Sequence, residues 1–142
     1  MTTRMAQQHE EGTAILVVLV LGTVLLIPLV YVVLSVMAVQ SASYAVTSAA
    51  RESARAYVTG GSVAEANRRA RTAARIVLGD ANINLDGEPT TIRCLRGPCL
   101  TTGSTVEVTV SVPVTLLFVD GGPTITVRSV QLAPIDPYRD PS

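Results

Sequence analysis

A long uncharged and apolar run near the N-terminus constrains this chain more than any other feature of its sequence. Residues 13–50 contain no charged side chain, and residues 13–39 are almost continuously apolar. A helix of that apolar length would measure about 40 Å, whereas about 20 residues already cross the hydrocarbon core of a bilayer. The run therefore predicts one transmembrane helix over residues 13–39 and excludes an ordinary soluble architecture.

A cleaved secretory signal is the alternative interpretation of the same run. The apolar core of a signal peptide spans only about 7–15 residues and normally follows a basic segment. Here the run is longer, and the flank before it sets Arg4 against Glu10 and Glu11. Small residues at Ser41 and Ser43 would still suit a signal peptidase, so this alternative stays open behind the retained helix.

Arginines alone do not orient the predicted membrane helix. Arg4 precedes it, and Arg51 and Arg55 follow it within reach of the opposite membrane surface. The positive-inside rule therefore does not choose between the two orientations. Residues 1–12 are too few to fold by themselves, and all of the foldable sequence follows the helix, which favours a cytoplasmic N-terminus.

The two cysteines support the same orientation. Cys94 and Cys99 are the only cysteines and lie close together in the long part that follows the helix. Such a pair is typical of a disulfide in an oxidising compartment. We therefore expect a Cys94–Cys99 disulfide in an extracytoplasmic domain, with two free thiols as the alternative.

Helical periodicity continues beyond the membrane segment. Small residues recur at helical spacing over residues 40–58, until Gly60 and Gly61 interrupt the pattern. Ser62 and Glu65 then have the spacing of a capping box, in which each side chain bonds the backbone of the other. They predict the start of a second helix, which is expected to end near a glycine at position 79.

The second predicted helix is amphipathic. Its alanines and valines share one face, and Arg68, Arg71 and Arg75 lie on the opposite face. A solvated face is the first interpretation of this stripe. Contact with anionic lipid head groups or with an acidic partner is the alternative.

Residues 80–142 change to strands and turns. Residues 90–95, 104–112 and 124–132 predict three strands, and residues 120–123 predict a turn. The middle strand alternates, with its valines on one side: Val106, Val108, Val110 and Val112. Pro113 indicates an edge position or a bulge where this strand continues. We expect an α+β fold in which two helices cover the apolar face of a small antiparallel sheet.

The chain is expected to divide into four parts. Residues 1–12 form a cytoplasmic leader, and residues 13–39 form the transmembrane helix. Residues 40–133 form the extracytoplasmic α+β domain. Residues 134–142, which are interrupted by proline and lack periodicity, form a flexible C-terminal tail.

Residue types that carry catalysis or metal binding are scarce. The only histidine, His9, precedes the membrane helix, and no set of His, Cys and carboxylate residues has metal-ligand spacing. No phosphate-binding loop or nucleophile elbow is present. The 11 basic and 11 acidic residues give a formal net charge of zero, which argues against bulk nucleic-acid binding. We therefore expect no enzymatic activity, cofactor, metal or nucleic-acid partner.

Four stretches together resemble the TadE-like proteins of tight-adherence pilus systems, in their actinobacterial form. They are EEGTAILVVLVLG at residues 10–22, SAARESARAYV at 48–58, TVEVTVSVPV at 105–114 and VRSVQLAPIDPYR at 127–139. They occur in the order of a short polar leader, a long apolar helix, its alanine-rich continuation and a small sheet. The resemblance covers most of the chain and implies a type IV pilin-like fold.

The resemblance also implies a processing site. In that family a prepilin-type peptidase cuts after the leader glycine, which here is Gly12, and leaves Thr13 as the first residue. A glutamate usually stands at the fifth mature position and pairs with the N-terminal amine of an adjacent subunit, but this chain has Val17 there. We therefore expect a minor, tip or initiating subunit, or an uncleaved assembly factor, rather than the major shaft pilin.

Two functional hypotheses from different classes follow. The first is a minor pilin or pseudopilin in the plasma membrane that acts structurally through helix packing. Its implied partners are the membrane, other pilin subunits, the pilus assembly machinery and a prepilin peptidase. The alternative is a single-span anchored protein whose extracytoplasmic domain binds a partner or organises the envelope without entering a filament. Cleavage after Gly12 would distinguish them in part.

Overall fold

The described residues form two helices followed by three strands. The computed structural model describes the backbone of residues 3–116 and 122–138, and the side chains of these residues from position 13 onward. The helices are α1 (Thr3–Val58) and α2 (Val63–Asp80), and the strands are β1 (Thr90–Cys94), β2 (Thr105–Thr115) and β3 (Thr124–Pro134). The expected α+β class, with a long apolar N-terminal helix and a small antiparallel sheet, is confirmed.

Two compact units divide the chain, Met1–Met37 and Ala38–Ser142, and α1 contributes to both. In the first unit α1 keeps its hydroxyl groups within its own hydrogen bonds. Thr23 Oγ1 donates to the Leu19 carbonyl and Ser35 Oγ to the Tyr31 carbonyl, each at 2.8 Å. Both hydroxyls can therefore lie in lipid without an unpaired polar atom.

The second unit packs small helix residues against the valines of β2. A first core cluster consists of Ala45, Val46, Ala49, Ala50, Ala74, Leu78, Val110 and Val112. A second core cluster consists of Ala54, Tyr57, Ala66, Ala70, Val106 and Val108. Between them Ser53 Oγ donates to the Ala70 carbonyl at 2.7 Å and ties the two buried helix faces together. The alanines bring both helices close to the sheet.

The connection between the helices uses the capping residues that the spacing predicts. The Glu65 amide donates to Ser62 Oγ at 3.3 Å, which makes Ser62 the N-cap of α2. The Glu65 carboxylate reaches one residue further back than expected and accepts the Gly61 amide at 3.1 Å. The Gly60 amide donates to the Tyr57 carbonyl at 3.0 Å and closes the end of α1.

The end of α2 lies beyond the expected glycine. The helix runs through Gly79 to Asp80, and Asn82 adopts the left-handed conformation with a φ of 58°. The Asn82 amide donates to the Gly79 carbonyl at 2.9 Å, and the Ile83 amide donates to the Leu78 carbonyl at 2.8 Å. Asparagine tolerates this conformation better than most residues and can therefore take the role that sequence assigns to glycine.

The sheet has the order β1-β2-β3, with both pairs antiparallel. The four alternating valines of β2 face the helices and are buried, as the period predicts. Thr109 faces the other way, yet it is only 5% exposed. Thr109 pairs with Thr91 on β1 and with Val130 on β3. These two neighbours cover its side chain, although no described helix packs on that face of the sheet.

Pro113 occupies a local edge, as its missing amide requires. β1 pairs with β2 only as far as Val110, whereas β3 continues opposite Pro113 at Thr126. The Ser111 amide, which points to the β1 side, is satisfied by the Pro89 carbonyl at 3.0 Å. The backbone nitrogen of Pro113 points to the same side, beyond the last residue that pairs with β1. A proline, which has no amide hydrogen, therefore costs the sheet no hydrogen bond at this position.

Parts of two expected segments lie outside the described residues. The expected turn at residues 120–123 and the continuation of the strand over residues 116–119 fall largely outside the described residues. Residues 139–142 of the expected flexible tail also lie outside them. Before that point Ile135 is buried, and its amide donates to the Ser104 carbonyl at 2.8 Å. The chain therefore remains packed one residue beyond the end of β3.

Candidate interaction surfaces

The first candidate surface is the apolar part of α1. Between Thr13 and Met37 the large apolar side chains are 40–72% exposed, so the protein itself buries none of them. Among the described residues one helix is long and apolar enough to cross a membrane, and this segment provides its apolar window. A surface of this size and composition suits contact with lipid or with other helices.

The residues implied in processing lie on that same helix. The Gly12–Thr13 bond falls within α1, whose helical backbone begins at Thr3. Val17 is exposed on the apolar surface, with Thr13 and Val20 lining the same shallow groove. A carboxylate at position 17 would therefore project outward from the helix, where only lipid or a neighbouring molecule can meet it.

The Cys94–Cys99 disulfide closes the loop that follows β1. Cys94 ends β1 and bonds Cys99, with their Cα atoms 5.4 Å apart. Tyr57 of α1 places its hydroxyl 3.8 Å from Cys94 Sγ, and Leu100 packs against the second core cluster. Gly97 adopts a φ of 68° inside the closed loop, which favours glycine there. The disulfide thus fixes a loop that covers the end of α1.

The arginine stripe of α2 is largely paired with carboxylates. Two of its three members, Arg71 and Arg75, lie 3.9 and 3.7 Å from Glu88. Beside the stripe, Arg69 lies 2.6 Å from Glu65. These groups are about one third to one half exposed, and such pairs contribute only about 0–1 kcal/mol each. The pairing reduces the net positive field of the stripe and supports its interpretation as a solvated face.

The uncovered side of the sheet is the remaining candidate surface. Val130 and Leu132 of β3 are about half exposed there, beside Thr109 and Glu107 of β2. β3 pairs with β2 along one side, and among the described residues no strand pairs along its other side. This surface mixes apolar, polar and charged side chains.

Possible metal ligands are scattered over the described residues. No group of three or more His, Cys, Asp or Glu residues there is placed to hold a metal ion. The one buried side-chain oxygen without a hydrogen-bond partner in the described part is Thr90 Oγ1, which stands alone.

Comparisons with known proteins give no family to assign. No protein-family model, no curated protein and no solved structure matches this chain.

Proposed function

We propose that this chain is a membrane-anchored minor pilin or pseudopilin of a tight-adherence type pilus, with a type IV pilin-like fold. The observation that carries the proposal is α1 itself. One helix, Thr3–Val58, supplies an apolar surface with no protein cover and then the alanine-lined face on which the sheet packs. An anchor and a domain core that share one helix suit a subunit that is held in the membrane before assembly.

The domain has the features of a structural module. Its buried contacts are alanine against valine, and its disulfide and its Ser53–Ala70 hydrogen bond brace the helices and the loop at one end. These contacts stabilise a rigid body. In the proposed orientation residues 1–12 are cytoplasmic and the second unit is extracytoplasmic, where the disulfide is stable.

Val17 supports a minor position rather than the repeated shaft position. Residues 13–50 offer no carboxylate to the terminal amine of a neighbouring subunit. A subunit that occurs once, at a tip or at initiation, needs to dock onto one neighbour only. Apolar contact along α1 is sufficient for that docking, because interfaces between membrane helices depend on packing more than on charge.

The first test is the N-terminus of the protein recovered from its native membrane. The proposal expects Thr13 as the first residue, with the mass of residues 1–12 removed. A Gly12→Leu variant should keep its full length, while a Gly22→Leu variant, changed at an exposed glycine within the apolar segment, should be processed normally. A native protein that begins at Met1 would favour the alternative, an anchored protein that binds a partner outside the filament.

The second test is assembly. A deletion strain should carry fewer pili than its parent, and the natural gene should restore their number. A photo-crosslinker at Tyr44, which is exposed on α1, should capture another pilin subunit in the complemented strain. Unchanged pilus number together with no pilin captured would exclude the pilin role and leave the anchored binding protein.

A further inference from the structure

The hydroxyl group of Tyr57 is buried against a sulfur atom. Tyr57 lies near the end of α1 and is only 1% exposed, and its hydroxyl oxygen lies 3.8 Å from Cys94 Sγ. A buried hydroxyl normally has a strong acceptor, such as a carbonyl oxygen. The sulfur of a disulfide is a weak acceptor, whereas a thiolate carries a full charge and accepts a charge-assisted hydrogen bond. This hydroxyl is therefore better matched to a reduced Cys94 than to an oxidised one.

Leu100, directly after the disulfide, has an unfavourable backbone conformation. Its φ is 65°, in the left-handed region that favours glycine and disfavours leucine. Two constraints act on it there, the covalent bond from Cys99 back to β1 and the packing of the Leu100 side chain against the second core cluster. Opening the disulfide removes one of the two constraints. The strain at Leu100 therefore also favours the reduced protein.

The disulfide lies within reach of an external thiol. Cys94 and Cys99 are both partly exposed, and the four residues between them are exposed. Cys94 ends β1 and its sulfur is in contact with Tyr57, whereas Cys99 belongs to the loop and follows the exposed Pro98. Arg96 is the only charged residue between the two cysteines, and a nearby positive charge stabilises a thiolate. Cys99 is therefore the more open sulfur to attack, and Cys94 is the better leaving group.

We propose that the Cys94–Cys99 bond is a site of reversible thiol–disulfide exchange with an external dithiol, in which Cys94 leaves as a thiolate stabilised by Tyr57. The thiolate of the dithiol attacks Cys99 Sγ, forms a mixed disulfide and breaks the bond to Cys94 Sγ. Cys94 Sγ takes the electron pair, accepts the Tyr57 hydroxyl and then takes a proton from water. The second thiol of the reductant displaces Cys99, which is protonated in turn. The two cysteines thus gain two electrons and two protons, and the dithiol becomes a disulfide.

Reduction is expected to release the loop and to leave the sheet intact. Cys94 pairs with Val106 through backbone groups, which do not need the sulfur bond. The loop keeps the hydrogen bond that Thr101 Oγ1 donates to the Pro98 carbonyl at 2.6 Å. What changes is the cover that Leu100 gives to the second core cluster at the end of α1. In an oxidising compartment the resting state is the disulfide, and a dithiol delivered there opens it.

The equilibrium can be measured on the full chain in detergent micelles, in buffers of reduced and oxidised glutathione, by acid quenching, alkylation and intact mass. We expect a measurable reduced fraction, whereas structural disulfides of secreted proteins resist reduction by glutathione. Tyr57→Phe keeps the ring and removes only the hydroxyl, so it should lower the ratio of reduced to oxidised protein roughly 3–10-fold. Tyr44→Phe removes an exposed hydroxyl from the same helix and should leave that ratio unchanged. A bond that stays oxidised in every buffer, or equal ratios for the two tyrosine variants, would overturn the inference.

The order of the two steps has a separate readout. A short pulse of glutathione, which is a monothiol, leaves its adduct on the cysteine that is attacked, and peptide mass should place that adduct on Cys99. Dithiothreitol, which is a dithiol, should reduce the pair fully without a lasting adduct. An adduct on Cys94 would overturn the assigned roles of the two sulfurs. None of these results depends on the pilin role, which stands or falls on processing and pilus number.

Discussion

Gly60, in the connection between the two helices, offers the sharpest test of the packing. A Cβ atom built on Gly60 would lie 2.6 Å from Ala66 Cα, 2.7 Å from Ala66 Cβ and 2.8 Å from the Ala66 nitrogen. Ordinary contacts of such atoms begin at about 3.4 Å, and these neighbours belong to the backbone of α2 rather than to a flexible side chain. Gly60→Ala must therefore displace the first turn of α2 from α1.

The cost of that displacement can be set against the gain that alanine brings. Overpacking a well-filled site costs about 1–3 kcal/mol, and a backbone neighbour places this site near the upper value. Replacing glycine lowers the entropy of the unfolded chain and returns about 0.4–1 kcal/mol, because Gly60 has no positive φ. We expect a net loss of about 2 kcal/mol, or roughly 8–16 °C in Tm for a domain of this size.

Gly61→Ala is the matched control one residue away. A Cβ atom there would meet only Glu65 Oε2, at 3.1 Å, and that carboxylate can swing aside. Moving the carboxylate breaks its hydrogen bond with the Gly61 amide, which costs about 1 kcal/mol or less. The lower entropy of the unfolded chain stabilises the variant by a similar amount, so the free energy of unfolding should change little. Full-length variants in detergent micelles can be compared by the urea concentration at which trypsin begins to cleave the second unit. Equal midpoints for the two variants would refute the close approach of the helices at Gly60.

Two further predictions follow from the sheet and from the disulfide. Val108→Asp should lower the free energy of unfolding by roughly 3 kcal/mol or more, because it buries an unpaired carboxylate in the second core cluster. Val130→Asp, on the half-exposed outer side of the neighbouring strand, should cost far less, and equal losses in the urea assay would contradict the register. Cys94 and Cys99 should resist alkylation in native envelopes until a reductant is added, and ready labelling beforehand would contradict the pairing. Their double replacement by serine should cost about 2 kcal/mol, because the closed loop is short.

Much of the fold could be predicted from the sequence because its signals are local and periodic. The uncharged run and the alternating valines of β2 each carry their own period, and Ser62 marks a helix start by a rule that involves only its neighbours. Pro113 likewise needs a position without a ladder partner, whatever the rest of the fold does. For such residues the local preference and the packed structure agree.

The features that the sequence does not predict depend on which helices and strands pack against one another. The alternation of β2 predicts that Thr109 faces solvent. It is buried because β1 and β3 flank it on both sides. The Ser53–Ala70 hydrogen bond joins residues on different helices, and no spacing in the sequence announces it. Both Gly79 and Asn82 can adopt the left-handed conformation that ends a helix. The helix ends before Asn82, where Ile83 packs against the first core cluster.

The candidate surfaces also differ in how far the sequence predicts them. The apolar surface of α1 could be predicted, because composition alone defines it. The arginine stripe could be predicted as a stripe, but its pairing with Glu88 requires the loop after α2 to return beside it.

The side of β3 that faces away from β2, along which no described strand pairs, has a consequence for handling the protein at high concentration. Along these eleven residues, the backbone donors and acceptors that point away from β2 form a template on which another strand can add. Arg128 near the middle of β3 and Pro134 at its end oppose such addition, by charge and by the missing amide. Between them lie five residues, 129–133, without a charge or a proline. Aggregation of the concentrated domain is therefore expected to begin there, and a lysine placed at Gln131 should suppress it.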